Sequence, residues 1–222
     1  TGANAYLQKA QLLFDRCRPI GNSTASQLTI GIPRCLNTYE NFPFWHTLFT
    51  ACGIQVQLSA PSTFKHYEGC AHMVMSDNIC FPAKLVHSHI EDLLQKQVDR
   101  IFMPYVIFEK QGKETNSYNC PIVTGYSDVI KSVQASNVPI DAPAISFKDR
   151  DLLHKACTQY LKSLGIKEKQ IDKAFAQALS EQETYACSLA KISEQIVSDA
   201  RNADRLVVML AGRPYHTDPL IQ

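Results

Sequence analysis

The chain has 222 residues, 45% of them hydrophobic, and a formal net charge of +1, which suits one large or two small domains with a substantial core. Its 22 basic and 21 acidic residues form no basic cluster, so nucleic acid and anionic membrane are not expected partners. No apolar run approaches the ~20 residues that span a bilayer, and Thr1–Lys9 lacks the basic and apolar regions of a signal peptide, so a cytoplasmic location is expected.

Tyr6 to Cys17 reads as a helix and Arg18–Ser26 as a turn-rich link, so residues 1–26 form a leader helix and linker. Leu28-Thr-Ile-Gly-Ile32 is a short apolar strand closed by Pro33. Asn41 or a neighbouring polar residue precedes a helix through Phe44 and Trp45 to Cys52, with Gly53 in the C′ position. Ile54-Gln-Val-Gln-Leu58 alternates as a strand does. A short strand or loop is expected at His72–Met75, followed by a helix from Pro82 to Gln97. Pro82 suits the first helical position because its φ is pre-set and it has no N–H to leave unpaired. Asp99–Met103 is the next strand, ended by Pro104. Residues 109–119 form a polar loop, Tyr126–Ala135 reads as a helix, and Ala142–Phe147 contains a further short strand. Strands alternating with helices over residues 27–147 predict an open, mainly parallel α/β sheet with helices on both faces.

From Lys148 the sequence turns to Ala, Leu, Lys, Gln and Glu with helical spacing. A helix capped by Asp149 or Asp151 ends near Leu164, Gly165 breaks it, and a second helix runs from Lys167 to Asn202. Residues 148–203 are therefore expected as a helical hairpin. Arg205-Leu-Val-Val-Met-Leu-Ala211 then reads as a buried strand, and residues 204–222 as the start of a truncated second α/β unit.

Ligands of open parallel sheets bind beyond the carboxyl ends of the strands. After the first strand the chain crowds Arg34, Asn37, Tyr39, Glu40, Asn41 and Trp45 beside that edge; the same residues could instead turn, cap and cover the sheet. Cys80 stands just outside the helix beginning at Pro82, where unpaired N–H groups and the helix dipole stabilise a thiolate. Lys84 and His87 fall on about the same helix face and could add positive charge; the bland alternative makes Cys80 a small buried hydrophobe. Cys80-Phe-Pro82 and Cys120-Pro121 are alike, each following a strand or extended loop and entering a proline turn. Two converging thiolates would suit iron–sulfur ligation, although two do not hold a cubane. Cys35, or a residue beyond Gln222, is a possible third.

The other five of the eight cysteines, Cys17, Cys52, Cys70, Cys157 and Cys187, are assigned to packing or surface. Their irregular spacing, without a CxxC pair, fits neither a disulfide scaffold nor a zinc ribbon. His87 and His89 are two apart and cannot chelate together as an i, i+4 pair would. Walker A, GxGxxG and GxSxG motifs are absent. A lone reactive thiol at Cys80 remains a further reading.

Ile32–Trp45, Ser76–His87, Tyr118–Thr124 and Leu210–His216 together resemble activase-related proteins of the 2-hydroxyacyl-CoA dehydratase system. In those large bacterial proteins, ATPase modules of the actin/Hsp70-like kind are followed by a region similar to the dehydratase subunits; this chain resembles the beginning of that region. The resemblance implies a Rossmann-like α/β fold and an iron–sulfur cluster, of the 4Fe-4S kind, in the full-length protein. Cys80 and Cys120 would be metal ligands, with the third in a second α/β domain. At the position of Cys35 the family usually shows another residue.

ATP hydrolysis is not expected of this chain, since the resemblance leaves the ATPase modules as partners elsewhere in the same longer chain; the parent is linked to 2-hydroxyacyl-CoA dehydration or ATP-driven electron transfer. Arg34, Asn37, Tyr39, Glu40, Lys84 and His87 are candidates for lining a crevice for a cluster, an acyl-CoA or another small ligand. A nearby Lys84 would raise the cluster potential. The alternative, from a different class, is a cluster-free docking or regulatory domain that uses the Tyr39–Trp45 loop as its contact surface.

Overall fold

A computed structural model of the chain describes residues 3–16, 28–109 and 118–221. Cys17, the link Arg18–Ser26 and most of the polar loop after Glu109 lie outside the described residues. The strands are β1 (Thr29–Ile32), β2 (Gln55–Leu58), β3 (Arg100–Phe102), β4 (Tyr105–Phe108), β5 (Ile140–Asp141) and β6 (Ala144–Ser146). The helices are α1 (Ala5–Phe14), α2 (Thr38–Ala51), α3 (Phe64–Cys70), α4 (Phe81–Gln95), α5 (Pro121–Val133), α6 (Arg150–Ser163) and α7 (Glu168–Asn202). The expected α/β architecture is present.

The main sheet is parallel, in the order β2-β1-β3-β5. Strand order reverses between β1 and β3, so the topological switch point lies at their carboxyl ends. Pro104 and Pro143 break β3 from β4 and β5 from β6, because a proline has no N–H for the ladder. The pairing resumes beyond them: Met103 N–H reaches Asp141 O at 2.9 Å, Tyr105 N–H reaches Pro143 O at 3.0 Å, and β4 pairs with β6 in parallel.

Successive strand residues point to opposite faces. On one face a Cβ at Gly31 would stand 3.0 Å from Val98 Cγ2 and 3.1 Å from Leu93 Cδ2, so glycine is what lets α4 lie close. On the other, α2 lays an aromatic core over the sheet, with Trp45 and Phe49 centroids 4.7 and 5.0 Å from Phe102. Phe44 meets Phe147 and Phe175 edge-on at 5.5 and 5.8 Å, joining β6 and α7 to that layer. α1 completes it, with Leu13 fully buried.

Local signals account for most boundaries. Asp149 caps α6, accepting from Asp151 N at 2.9 Å and Leu152 N at 3.0 Å. Gly53 and Gly165 hold φ of +81° and +84° just past α2 and α6. Thr63 caps α3, which runs into a 3₁₀ turn over Ala71–Met73 where a strand or loop is expected.

Three stretches differ more. α2 begins at Thr38 and continues through Pro43, and α5 begins at Pro121 rather than Tyr126. The run Arg205–Ala211 is not a buried strand: Leu206 and Met209 are each 90% exposed and no ladder includes them. A run apolar on both faces calls for packed layers above and below it as well as neighbouring strands for its backbone, and no strand pairs with it among the described residues. After this run the chain returns as a strap, a 3₁₀ turn at Pro214–Thr217 that packs on α2 and α1.

Candidate functional site

In a parallel sheet the helix leading into a strand starts at the carboxyl rim. α2, α4 and α5 lead into β2, β3 and β5, so their N-caps Asn37, Cys80 and Cys120 share one rim. None of the three side chains caps its own helix, and both cysteine-led helices carry proline in the first turn. Each sulfur therefore stands beside N–H groups with no intrahelical partner. Cys80 is exposed and Cys120 half-buried. Tyr215 of the strap lines one cavity with Val123 of α5 and another with Pro82 and Leu85 of α4. Burial raises its phenol above the ordinary range, Arg213 acts in the opposite direction, and charge on Cys120 and Cys80 adds to the rise.

The loop after β1 crosses the switch point. Leu36, buried there, holds φ of +46°, an uncommon conformation for a residue with a side chain. With Pro33, Asn37, Met103, Pro104 and Val123 it lines a cavity of about 30 Å³. Beside it three amides converge on one carboxylate: Glu109 accepts from Asn37 Nδ2, from Asn41 Nδ2 at 2.6 Å and from Asn119 Nδ2 at 2.8 Å. Glu109, Asn119, Arg213 and Tyr215 are not among the candidates from sequence. Asn119, Arg213 and Tyr215 lie in stretches that carry the family resemblance, whereas nothing in the sequence singled out Glu109.

The six crevice candidates separate. Asn37 lies at the switch point, bonded to Glu109. Tyr39 is fully buried and donates to Asp218 Oδ2 at 2.7 Å. Arg34 lays its guanidinium 4.0 Å from the Phe14 ring centroid, and Glu40 faces Lys9 at 3.9 Å, both toward α1. Lys84 Nζ donates to Asp77 O at 2.9 Å, steadying the approach to Cys80. His87 is buried and its Nε2 is 3.0 Å from Tyr126 OH. Burial pushes its pKa down, so it adds no positive charge beside Cys80 at neutral pH.

The Tyr39–Trp45 stretch is not a loop. It forms the first half of α2, with Tyr39, Phe42, Phe44 and Trp45 all buried, and so presents no aromatic docking surface. Cys35 is buried too, and burial together with the Asp218 charge raises its thiol far above the ordinary range; among the described residues it forms no metal-holding group of three with Cys80 and Cys120. Cys52, Cys70 and Cys157 are buried and Cys187 is exposed, matching their assignment to packing and surface.

The family model described as CoA enzyme activase uncharacterised domain matches residues 29–222. The chain belongs to that family. No curated protein and no solved structure matches it. The match begins at β1 of the activase-family domain and takes in both cysteine-led helices, the helical hairpin and the strap.

The strap of this activase-family domain is pinned by a buried carboxylate. Asp218 Oδ2 accepts from Tyr39 OH and from Ser62 Oγ at 2.5 Å, and its Oδ1 accepts from Leu220 N at 2.8 Å. With its one proton given to Asp218, Ser62 can only accept from His89 Nε2–H at 3.0 Å. The neutral ring then takes the Ser59 hydroxyl proton at Nδ1, 2.9 Å away, and Ser59 accepts Arg34 N–H at 2.7 Å. Burial pushes His89 down to about 4, against the pull of Asp218 and Asp92, so the ring remains neutral in this chain of bonds.

Proposed function

We propose that the activase-family domain is the dehydratase-like iron–sulfur module of a redox protein, with Cys80 and Cys120 as two of the cluster ligands. One observation carries the reading: two cysteines far apart in sequence each stand as the N-cap of a helix with proline in its first turn, at the same rim of the sheet. Thiolates at helix N-termini suit iron, and on this reading the pair would supply two of the ligands. No group of three or more His, Cys, Asp or Glu among the described residues could hold a metal ion; further donors would come from outside them.

A bound cluster would supply one-electron transfer. The chain's own residues hold its surroundings: Lys84 fixes the Asp77–Cys80 turn, His87 orients Tyr126, and Glu109 gathers Asn37, Asn41 and Asn119 beside the α5 start. The cavities lined by Asn37 are about 30 Å³ each, against some 300–1,000 Å³ for a small-molecule site. An acyl-CoA or similar ligand would therefore need a crevice completed by chain outside the described residues. We assign residues 204–222 to the opening of a second α/β unit that could complete it, and ATPase modules of the same longer chain as electron-supplying partners. No helix among the described residues is long and apolar enough to cross a membrane.

The test is anaerobic iron–sulfide reconstitution of the full-length protein, with Cys80→Ala and Cys120→Ala. Stoichiometric iron and acid-labile sulfide in the parent, lost in either variant, support the reading. Absence of iron from the parent, or full loading of both variants, refutes it.

A further inference from the structure

Asp218 is a costlier fastening than the strap needs. It is only 2% exposed, and no ion pair among the described residues includes it. Taking a carboxylate out of water is unfavourable, and an apolar side chain would hold the strap at less expense. Its Oδ2 is met instead by two hydroxyl donors of the domain, Tyr39 OH at 2.7 Å and Ser62 Oγ at 2.5 Å.

The domain holds these donors without help from the strap. Tyr39 stands in the first turn of α2, its ring edge-on to Phe14 at 5.2 Å. Ser62 is tied to His89 of α4, His89 to Ser59, and Ser59 to the Arg34 N–H, so the loops after β1 and β2 meet α4 at one point. Positive charge is near: the Arg34 guanidinium acts on both Tyr39 and His89, and its Nε is buried without a hydrogen-bond partner. Around Asp218 a cavity of about 10 Å³ is walled by Leu36, Pro82 and Leu85 of the domain and by Tyr215 and Ile221 of the strap. Withdrawal of the strap would take two walls with it and leave an apolar pocket with a carboxylate-binding end. The lead-in to the strap does not oppose this, since Leu206–Ala211 makes no backbone hydrogen bond to a described residue.

We propose that the strap plugs a binding site for a small aliphatic carboxylate at the carboxyl ends of β1 and β2, with Asp218 standing where the carboxylate of the ligand would lie, so that ligand and strap exclude each other. Tyr39 and Ser62 donate to the carboxylate, and Arg34 supplies the compensating charge. The aliphatic tail takes the space of Tyr215 and Ile221 against Leu36, Pro82 and Leu85. The strap is thus an autoinhibitory contact, displaced by the kind of group it imitates. The site needs no iron, so it stands or falls apart from the cluster reading.

The experiment uses the full-length protein as wild type, Asp218→Ala, and Asp218→Ala with Ser62→Ala. Butyrate is the probe and butyramide its neutral isostere, with binding read by isothermal titration calorimetry at constant ionic strength. Apparent affinity falls with the fraction of protein in the competent state, so Asp218→Ala is expected to bind butyrate about tenfold or more tightly than wild type, and to prefer it to butyramide. Adding Ser62→Ala removes a donor to the charged ligand and is expected to lose about tenfold. Failure of Asp218→Ala to bind butyrate, equal binding of butyramide, or an affinity that Ser62→Ala leaves unchanged overturns the proposal. Should Asp218→Ala not fold, amide exchange of the wild type decides: butyrate, and neither chloride nor butyramide, is expected to speed exchange across Pro214–Ile221 while β1 and β3 stay protected. Exchange unchanged by butyrate overturns the proposal equally.

Discussion

The continuation of α2 through Pro43 depends on one side chain of α7, and removing it gives a sharp test. Pro43 has no N–H to offer and its ring crowds the carbonyl four residues back, which ordinarily breaks a helix. In a regular helix Phe44 N–H and Glu40 O would pair with each other. Here both meet the Gln182 amide, whose Oε1 accepts from Phe44 N at 3.2 Å while its Nε2 donates to Glu40 O at 2.9 Å. The amide splices into the ladder where the proline opens it. Two such bonds contribute about 0.5–1.5 kcal/mol each, and burial of Phe44 keeps water from replacing the lost acceptor. Alanine returns a few tenths through helix propensity. Gln182→Ala is therefore expected to lower unfolding free energy by about 2 kcal/mol, read from the urea midpoint at unchanged slope. Gln182→Glu retains the acceptor but faces Glu40 O without a proton, and should lose as much. A Gln182→Ala protein within about 0.5 kcal/mol of wild type, or a Gln182→Glu protein as stable as wild type, would refute the splice.

Asp218→Ala leaves the buried Tyr39 and Ser62 hydroxyls without their acceptor. At about 1–3 kcal/mol for each unsatisfied group, amide exchange across Pro214–Ile221 should accelerate roughly 100-fold or more while the sheet stays protected; unchanged exchange would show that the carboxylate does not pin the strap. Acid should weaken the fold through His46 and His89, each buried and pushed down to about 4 chiefly by burial. With the unfolded chain near 6.5, it binds more protons than the folded one below that pH, so stability present above 6.5 is lost as pH falls toward 4. The loss is about 2–3 kcal/mol per histidine by pH 4.5; urea midpoints measured from pH 7 to 4.5 should fall, and fall less in His46→Gln. Gly31→Ala crowds flexible ends of Leu93 and Val98 and should cost about 1–2 kcal/mol by urea unfolding, no change meaning that α4 can move aside freely. Leu206→Ser with Met209→Ser removes two residues that are each 90% exposed: the urea midpoint should hold while light scattering reports less self-association. A drop in midpoint would place the run in contact with the domain.

What the sequence made legible was local. Gly53, Gly165 and Asp149 mark helix ends by backbone geometry and capping that need only their neighbours, and the alternation of strands and helices predicts the parallel sheet. Cys80 and Cys120 stood out because the proline that starts each helix is adjacent in the chain. The failures are long-range. A local reading places the start of α2 just after Asn41, with Pro43 in the first turn where proline is tolerated, because nothing nearby announces Gln182. Tyr39, Phe42 and Trp45 look like a sticky loop until Phe14 of α1 meets the first two and Phe102 and Phe147 meet the third. Glu109 and its three asparagines come from separate segments, and Tyr215 reaches the rim only because Asp218 finds Tyr39 and Ser62.

The run Arg205–Ala211 is the instructive case, because local physics gives it the right character and the wrong state. Five consecutive large apolar residues make a strand that is stable only with neighbours on both sides, yet the run is held at both ends. Its start follows α7, whose first half is buried against α2 through Phe175 and Ala178. Its end is fixed by the strap, where Tyr215 and Asp218 are buried against the rim. A segment tethered at both ends gives up less conformational entropy on pairing than a free tail would, and it pairs in a set position. On the proposed second α/β unit, a sheet forming around Leu206–Leu210 would therefore be registered to Tyr215, and through Tyr215 to the first turns of α4 and α5, with which it lines cavities. The same Asp218 bonds that pin the strap would then decide where the completing donors arrive.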